Sequence, residues 1–275
     1  MQVKEQRFFR KHYRRAVQIN VLVLLAVSVL TTLVGKSMIG QEKVSLLVED
    51  PRPVAEAVKT LEANCGCVIT YEDPRYVHDS EIADVTQSVR KDLDRFKPGE
   101  APRVLIPKGG PLAVDYDALP GTKVPINTLG TIQQLLNKHA NAGGAGRFRV
   151  EKQGEIFYVM PTAFKNSLGD ITPQQSLLDT VISLPSEERS GAQTLKALCN
   201  AISQQSQNLV LVGTIPVNRF LHYHDNRGLK SERARDALAD LLRSVDPNGN
   251  LSWQLLGGPG TDTYFLNIHR VKPLR

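Results

Sequence analysis

The residues best suited to chemistry fall in two short runs. His222-Tyr223-His224-Asp225 puts two imidazoles at i and i+2. On an extended segment such positions point the same way, so FLHYHD (Phe220–Asp225), read as a strand, sets up His222 and His224 to share a metal. His269, on a later strand, is the distant candidate for a third ligand. The second run is Tyr71-Glu72-Asp73-Pro74-Arg75-Tyr76, followed by His78 and Asp79. Adjacent carboxylates near an imidazole suit acid–base work where a cleft shifts their pKa values. The plainer account is a solvated strand exit for the carboxylates and a polar strand face for the histidines. No catalytic, cofactor-binding or metal-ligating residue is assigned on this basis.

Other motifs exclude more than they suggest. Gly35-Lys36-Ser37 ends like a phosphate-binding loop, but Leu30 stands where that motif needs its first glycine. Gly143-Gly144-Ala145-Gly146 follows a helix pattern and opens a strand, which makes it a joint rather than an anion nest. Arg147 and Arg149 alternate onto one face and could meet an acidic partner. Cys65 and Cys67 flank Gly66, too close for an unstrained bridge, and with Cys199 they are expected as buried small residues or free thiols.

The charge is concentrated at one end. The formal net charge is +6, yet Lys4, Arg7, Arg10, Lys11, Arg14 and Arg15 face Glu5 alone before position 35. The remainder is nearly neutral and offers no basic stripe, so nucleic-acid binding is not expected. Residues 16–35 carry no charge and centre on VLVLLAVSVL (Val21–Leu30), a length that suits a membrane-spanning helix. Basic residues before it and Lys36 after it predict a cytoplasmic tip over 1–15 and a translocated remainder. No A-x-A-like cleavage site is evident, so an uncleaved inner-membrane anchor is expected. The alternative is a periplasmic or secreted protein after signal cleavage.

The elements that must position these residues follow a repeated order. VSLLVED (Val44–Asp50) is strand-like; Asp50 is placed to cap a helix with Val54, Ala57, Val58 and Leu61 on one face; Gly66 ends it, and CVITY (Cys67–Tyr71) is a strand. A polar stretch, about 72–110, includes a helix candidate at Ser80–Phe96. PLAVDYD (Pro111–Asp117), a helix capped by Asn127, and a hairpin (Arg147–Lys152 with Glu155–Pro161) complete the first half. The second half runs through TVISLP (Thr180–Pro185), a helix with Leu195, Leu198, Cys199 and Ile202, and NLVLVGT (Asn208–Thr214). It continues with the strand-like Phe220–Asp225, a helix capped by Ser231, and a hairpin of LSWQLL (Leu251–Leu256) and TYFLNIHRV (Thr263–Val271). The fold class expected is α+β: two tandem β-α-β/β-α-β-β units with small mixed sheets, over 44–165 and 175–275.

These segments resemble the secretin and TonB short N-terminal domain. PVAEAVKTLEANCGCVITYEDPRYV (Pro53–Val77) is similar to its first helix, which there ends on Thr-Gly, and to the following strand ending near Y-D-P. TLGTIQQLLNKHANAGGAGRFRVEKQGEIFYVMP (Thr128–Pro161) and Ser231–Val271 are similar to its second helix and hairpin. The resemblance implies a periplasmic module that contacts other proteins and has no catalytic residues. The expectation is a non-enzymatic, membrane-tethered interaction module with an envelope protein partner, reached by sheet-edge pairing, and with no small-molecule substrate or cofactor. A periplasmic metal-binding protein or hydrolase using the His222/His224 strand is the alternative.

Overall fold

The computed structural model describes residues 42–97 and 99–272. The expected cytoplasmic tip (1–15) and membrane helix (16–35) lie outside the described residues. Among the described residues no helix is long and apolar enough to cross a membrane.

The first half opens with β1 (Glu42–Asp50), which pairs antiparallel along its whole length with β5 (Gly110–Ala118). Alternation sets the inward face: Leu46 and Val48 meet Leu112, Val114 and Tyr116, while Leu47 points to solvent. Helix α1 (Pro53–Cys65) begins at a proline, whose fixed φ suits the first helical turn. Asp50 does not cap this helix; its Oδ1 accepts from the Arg52 N–H at 2.6 Å, and Arg52 is the N-cap. Gly66, at φ 61°, ends it in the left-handed conformation and donates its N–H to the Glu62 carbonyl.

That turn overturns the expectation for the cysteines. Cys65 and Cys67 are joined in a disulfide, because the left-handed Gly66 brings their Cα atoms to 5.2 Å, an ordinary bridging distance. Cys199 is free and buried, and burial pushes its thiol up to about 12.

Strand β2 (Val68–Glu72) leads into the polar stretch. No long helix forms at Ser80–Phe96; β3 (Ile82–Asp84) pairs with β4 (Leu105–Pro107), and a single turn, α2 (Thr86–Val89), follows. The Asp84 carboxylate accepts from both the N–H and the hydroxyl of Thr86, a local bond that competes with a continuous helix at that point. Asn127 caps α3 (Thr128–Asn141) as expected, its Oδ1 accepting from Gly130 at 2.9 Å. The hairpin β6 (Arg147–Gln153) and β7 (Ile156–Lys165) follows, with β8 (Ile171–Pro173) added to the end of β7.

The second half repeats this pairing. β9 (Val181–Leu184) pairs antiparallel with β13 (Leu229–Arg233), as β1 does with β5. Helix α4 (Gly191–Ser206) starts with a full capping box between Ser190 and Gln193. Between β11 (Leu209–Val212) and β13 the chain forms α5 (Val217–His222), and β12 (His224–Asp225) pairs with β10 (Arg189–Ser190). Phe220–Asp225 is therefore not one strand: Phe220 is fully buried from a short helix that follows Pro216. Ser231 is not a cap; its N–H bonds the Ser183 hydroxyl inside β13, and Arg233 precedes α6 (Ala234–Val245). The hairpin β14 (Leu251–Gly257) and β15 (Thr263–Arg270) closes the fold.

The fold is mixed α+β, with six α-helices and four two-stranded sheets among the described residues. Besides these small sheets there is one seven-stranded sheet to which both halves contribute, in the order β11-β15-β14-β2-β7-β6, with β8 on β7. Parallel pairing of β14 with β2 makes the join. Helices α1 and α3 pack on one face, against Ile69, Tyr71, Phe157 and Val159. Helices α4 and α6 pack against Trp253, Leu255 and Leu266, with Tyr158 and Met160 of β7 in the same core. Since Leu255 pairs beside Glu72 and Gln254 beside Tyr71, these two helix layers lie on opposite faces of the one sheet.

Candidate interaction site: a polar seam and two open sheet edges

The seam between the halves is short in backbone terms. Only Gln254↔Tyr71 and Leu255↔Glu72 are in register between β14 and β2. Side chains supply the rest. Ser252 donates its hydroxyl to the Ile69 carbonyl at 3.1 Å, and Glu62 of α1 accepts the Ile69 N–H at 3.0 Å. The other oxygen of Glu62 lies 2.5 Å from Nε2 of His269 on β15.

The carboxylates expected at a solvated strand exit are instead the centre of this seam, each only 1 % exposed. Asp73 accepts four hydrogen bonds: from Arg52 Nε (2.7 Å) and the Gly257 N–H (2.9 Å) on one oxygen, and from the hydroxyls of Tyr71 (2.8 Å) and Tyr76 (3.0 Å) on the other. Burial, reinforced by the Asp73 charge, holds both phenols well above the usual tyrosine range. Burial disfavours the Arg52 charge, but Asp73 more than restores it, so the guanidinium is held above its ordinary value. Glu72 accepts from Ser176 and from Arg235 Nη2 (3.0 Å), while Arg235 Nη1 reaches Asp179 at 2.7 Å. Desolvation raises the Glu72 pKa, and Arg235 and Ser176 oppose that rise. Arg235 also lies over the Tyr158 ring, 5.5 Å from its centroid.

The other sequence candidates separate. His222 ends α5 and His224 lies on β12, so the two imidazoles share no strand face; both are exposed. His269, the candidate third ligand, is engaged by Glu62 across the seam. His78 accepts from the Ser80 N–H, and its partner Asp79 is exposed at the surface. Among the described residues no cluster of three or more His, Cys, Asp or Glu side chains is arranged to hold a metal. Arg147 donates to the carbonyls of Gly144 and Gly146, and Arg149 pairs with Glu151 at 3.3 Å. Sequence reasoning missed Arg52, Glu62, Ser176 and Arg235. Nothing local marks them, since each acts on a partner far away in the chain.

Beside the seam lies a cleft of about 340 Å³. Arg52, Tyr71 and Tyr76 form one wall, and Glu81, His139 and Lys165 line the remainder. Burial raises the pKa of Glu81 and lowers that of His139, whose Nε2 bonds the Ala145 carbonyl at 2.8 Å.

Among the described residues the sheet ends on two strands that each pair on one side only, β6 and β11. The outer backbone groups of β6, and those of Val212 on β11, are available to a further strand, whereas the N–H and carbonyl of Val210 are already bonded by the Ser203 hydroxyl. At the β11 end the face left uncovered by α4 and α6 carries Leu209, Leu211 and Phe265, all exposed. At the β6 end the exposed apolar side chains are Ile126 and Leu129, at the start of α3.

No protein-family model matches the chain, and no characterised protein or solved structure matches it either.

Proposed function

We propose that this protein is a non-enzymatic interaction module of the cell envelope, held at the inner membrane by residues 16–35, with its folded part in the periplasm. Its two units, 44–165 and 175–275, are read as tandem copies of a domain resembling the secretin and TonB short N-terminal domain. Equivalent positions support the repeat. Val54, Ala57, Val58 and Leu61 in α1 are buried, as are Leu195, Leu198, Cys199 and Ile202 in α4. Glu62 accepts the Ile69 N–H in one half, and Ser203 accepts the Val210 N–H (2.8 Å) in the other.

The observation that carries the reading is the pair of open sheet edges. The most reactive-looking side chains, Glu72 and Asp73, are committed to holding the halves together, whereas β6 along its length and β11 at Val212 leave backbone groups unpaired beside exposed apolar side chains. An extended partner strand satisfies both needs, since backbone bonds give affinity and side-chain pockets give selectivity.

The test is site-specific photocrosslinking of the full chain in native membranes, with the reactive group at Lys152 on β6, at Leu209 on β11, or at exposed Lys59 on α1. Discrete adducts from Lys152 or Leu209 and none from Lys59 are expected. Equal labelling at all three positions, or none at the edges, would remove the proposal. Protease added from the periplasmic side tests the topology in the same membranes: cleavage beyond residue 41 is expected.

A further inference from the structure

The internal seam is a template for a second one. Across the sheet the second half contributes β11-β15-β14 and the first half β2-β7-β6, in the same left-to-right order. β11 runs parallel to β15, β15 antiparallel to β14, and β14 parallel to β2, so β2 and β11 run in opposite directions. The helix layers also swap faces. A half-turn about the line across the strands, with a shift along that line, therefore carries one half onto the other. Such an operation does not close on itself. Applied once more, it sets β11 of another copy beside β6, just as β2 sits beside β14.

The side chains at the two outer edges fit that repetition. Matching the paired strands aligns Tyr158 with Phe265, Thr70 with Leu211, Tyr71 with Val212, Glu72 with Gly213, and Gln254 with Arg149. The buried faces of α3 and α6 align Ile132 with Leu238 and Leu136 with Leu242, and so place Leu129 where α6 has Arg235. At the internal seam Arg235 covers Tyr158 and neutralises Glu72. At the outer edges the arginine is replaced by Leu129 (40 % exposed) and the carboxylate by Gly213. The aromatic position is kept as Phe265 (42 % exposed), beside Leu211 (38 % exposed). Both partners of the charge pair are absent together, and apolar side chains stand on both sides instead.

We infer that the edges pair with each other in successive copies, β11 of one chain parallel to β6 of the next, with Leu129 seated on Phe265 and Leu211. The inference rests on the sheet-edge reading above and names its partner as a second copy of this chain. The internal register Gln254↔Tyr71 becomes Arg149↔Val212 between copies. The association is head-to-tail and open-ended, because each chain offers one edge of each kind.

The test uses the full chain, in membranes, with Arg149→Cys and Val212→Cys together and mild oxidation. Gly213 is avoided because a side chain there meets Asn267 at 2.4 Å. A ladder of dimers, trimers and larger species is expected from the double variant. A mixture of the two single variants should stop at the dimer, and the chain without new cysteines should give no ladder. Adding Phe265→Asp or Leu129→Asp, both at exposed positions, should reduce the ladder about tenfold, as loss of a central apolar anchor does at interfaces. Concentration-dependent sedimentation of the unsubstituted chain in detergent, weakened by the same aspartates, checks the result without cysteines. Absence of both ladder and concentration dependence, or dimers alone from the double variant, overturns the inference. Edge-specific adducts to a different protein would leave the proposed function standing while removing the second copy as its partner.

Discussion

The two halves share one frame and differ in how they complete it. Each packs two helices between a two-stranded sheet and its share of the large sheet. In each, a left-handed residue follows the first long helix: Gly66 at φ 61° and Gln207 at φ 59°. The first half fastens that turn with the Cys65–Cys67 disulfide. The second uses hydrogen bonds at the corresponding positions, from the Asn208 side chain to the Ser206 carbonyl (2.7 Å) and from the Asn208 N–H to the Ser206 hydroxyl. The second long helix shows a sharper contrast: Arg235 is buried in charge pairs where Leu129 is half exposed, and Val245 stands where the first half has His139. The frame thus depends on apolar spacing and turn geometry, while the polar side chains distinguish the joined surface from the open ones.

The largest effect is expected at Arg235. Arg235→Ala leaves Glu72 buried and unpaired and should cost about 3–5 kcal/mol in denaturant unfolding. Leu129→Ala at the matching position should cost less than about 1 kcal/mol in the chain at high dilution. Equal losses would mean that the seam is not special. Next comes the disulfide. Cys65→Ser with Cys67→Ser removes a very short covalent loop, so the unfolding free energy should fall by only about 1–2 kcal/mol in the same denaturant titration.

A third effect follows from His139, whose pKa burial depresses below 6.5. A histidine kept neutral in the fold binds fewer protons there than when unfolded, so its contribution is present above pH 6.5 and is lost as pH falls below it. Stability measured from pH 7.5 downwards should show this loss, and His139→Val, which copies the second half, should flatten it. The smallest expected change is a gain: Gln207→Gly relieves a left-handed non-glycine and should stabilise by about 0.5–1 kcal/mol in thermal unfolding.

How much was legible in the sequence depended on range. The helix faces of Val54–Leu61 and Leu195–Ile202, the Asn127 cap, Gly66 and both hairpins are local patterns, and each appears where its residues place it. Short segments with competing local bonds were not legible. Asp84 and Thr86 interrupt the expected Ser80–Phe96 helix, and Phe220 draws Val217–His222 into a helix by burial that only the tertiary fold provides. The seam was the least legible feature of all. Tyr71–Tyr76 stood out by composition, but its partners Arg235 and Gly257 lie far along the chain.

That distance fixes an order of events as the chain is made. Val58 and Leu61 can find Leu112 and Val114 early, because all of them belong to the first half. Glu72 and Asp73 cannot leave water until α6 and the end of β14 have arrived, and contacts of such long sequence separation form slowly. Until then both carboxylates stay hydrated, because burying a charge without its partner is costly. Their burial marks the moment at which a nascent pair of half-domains becomes one finished protein.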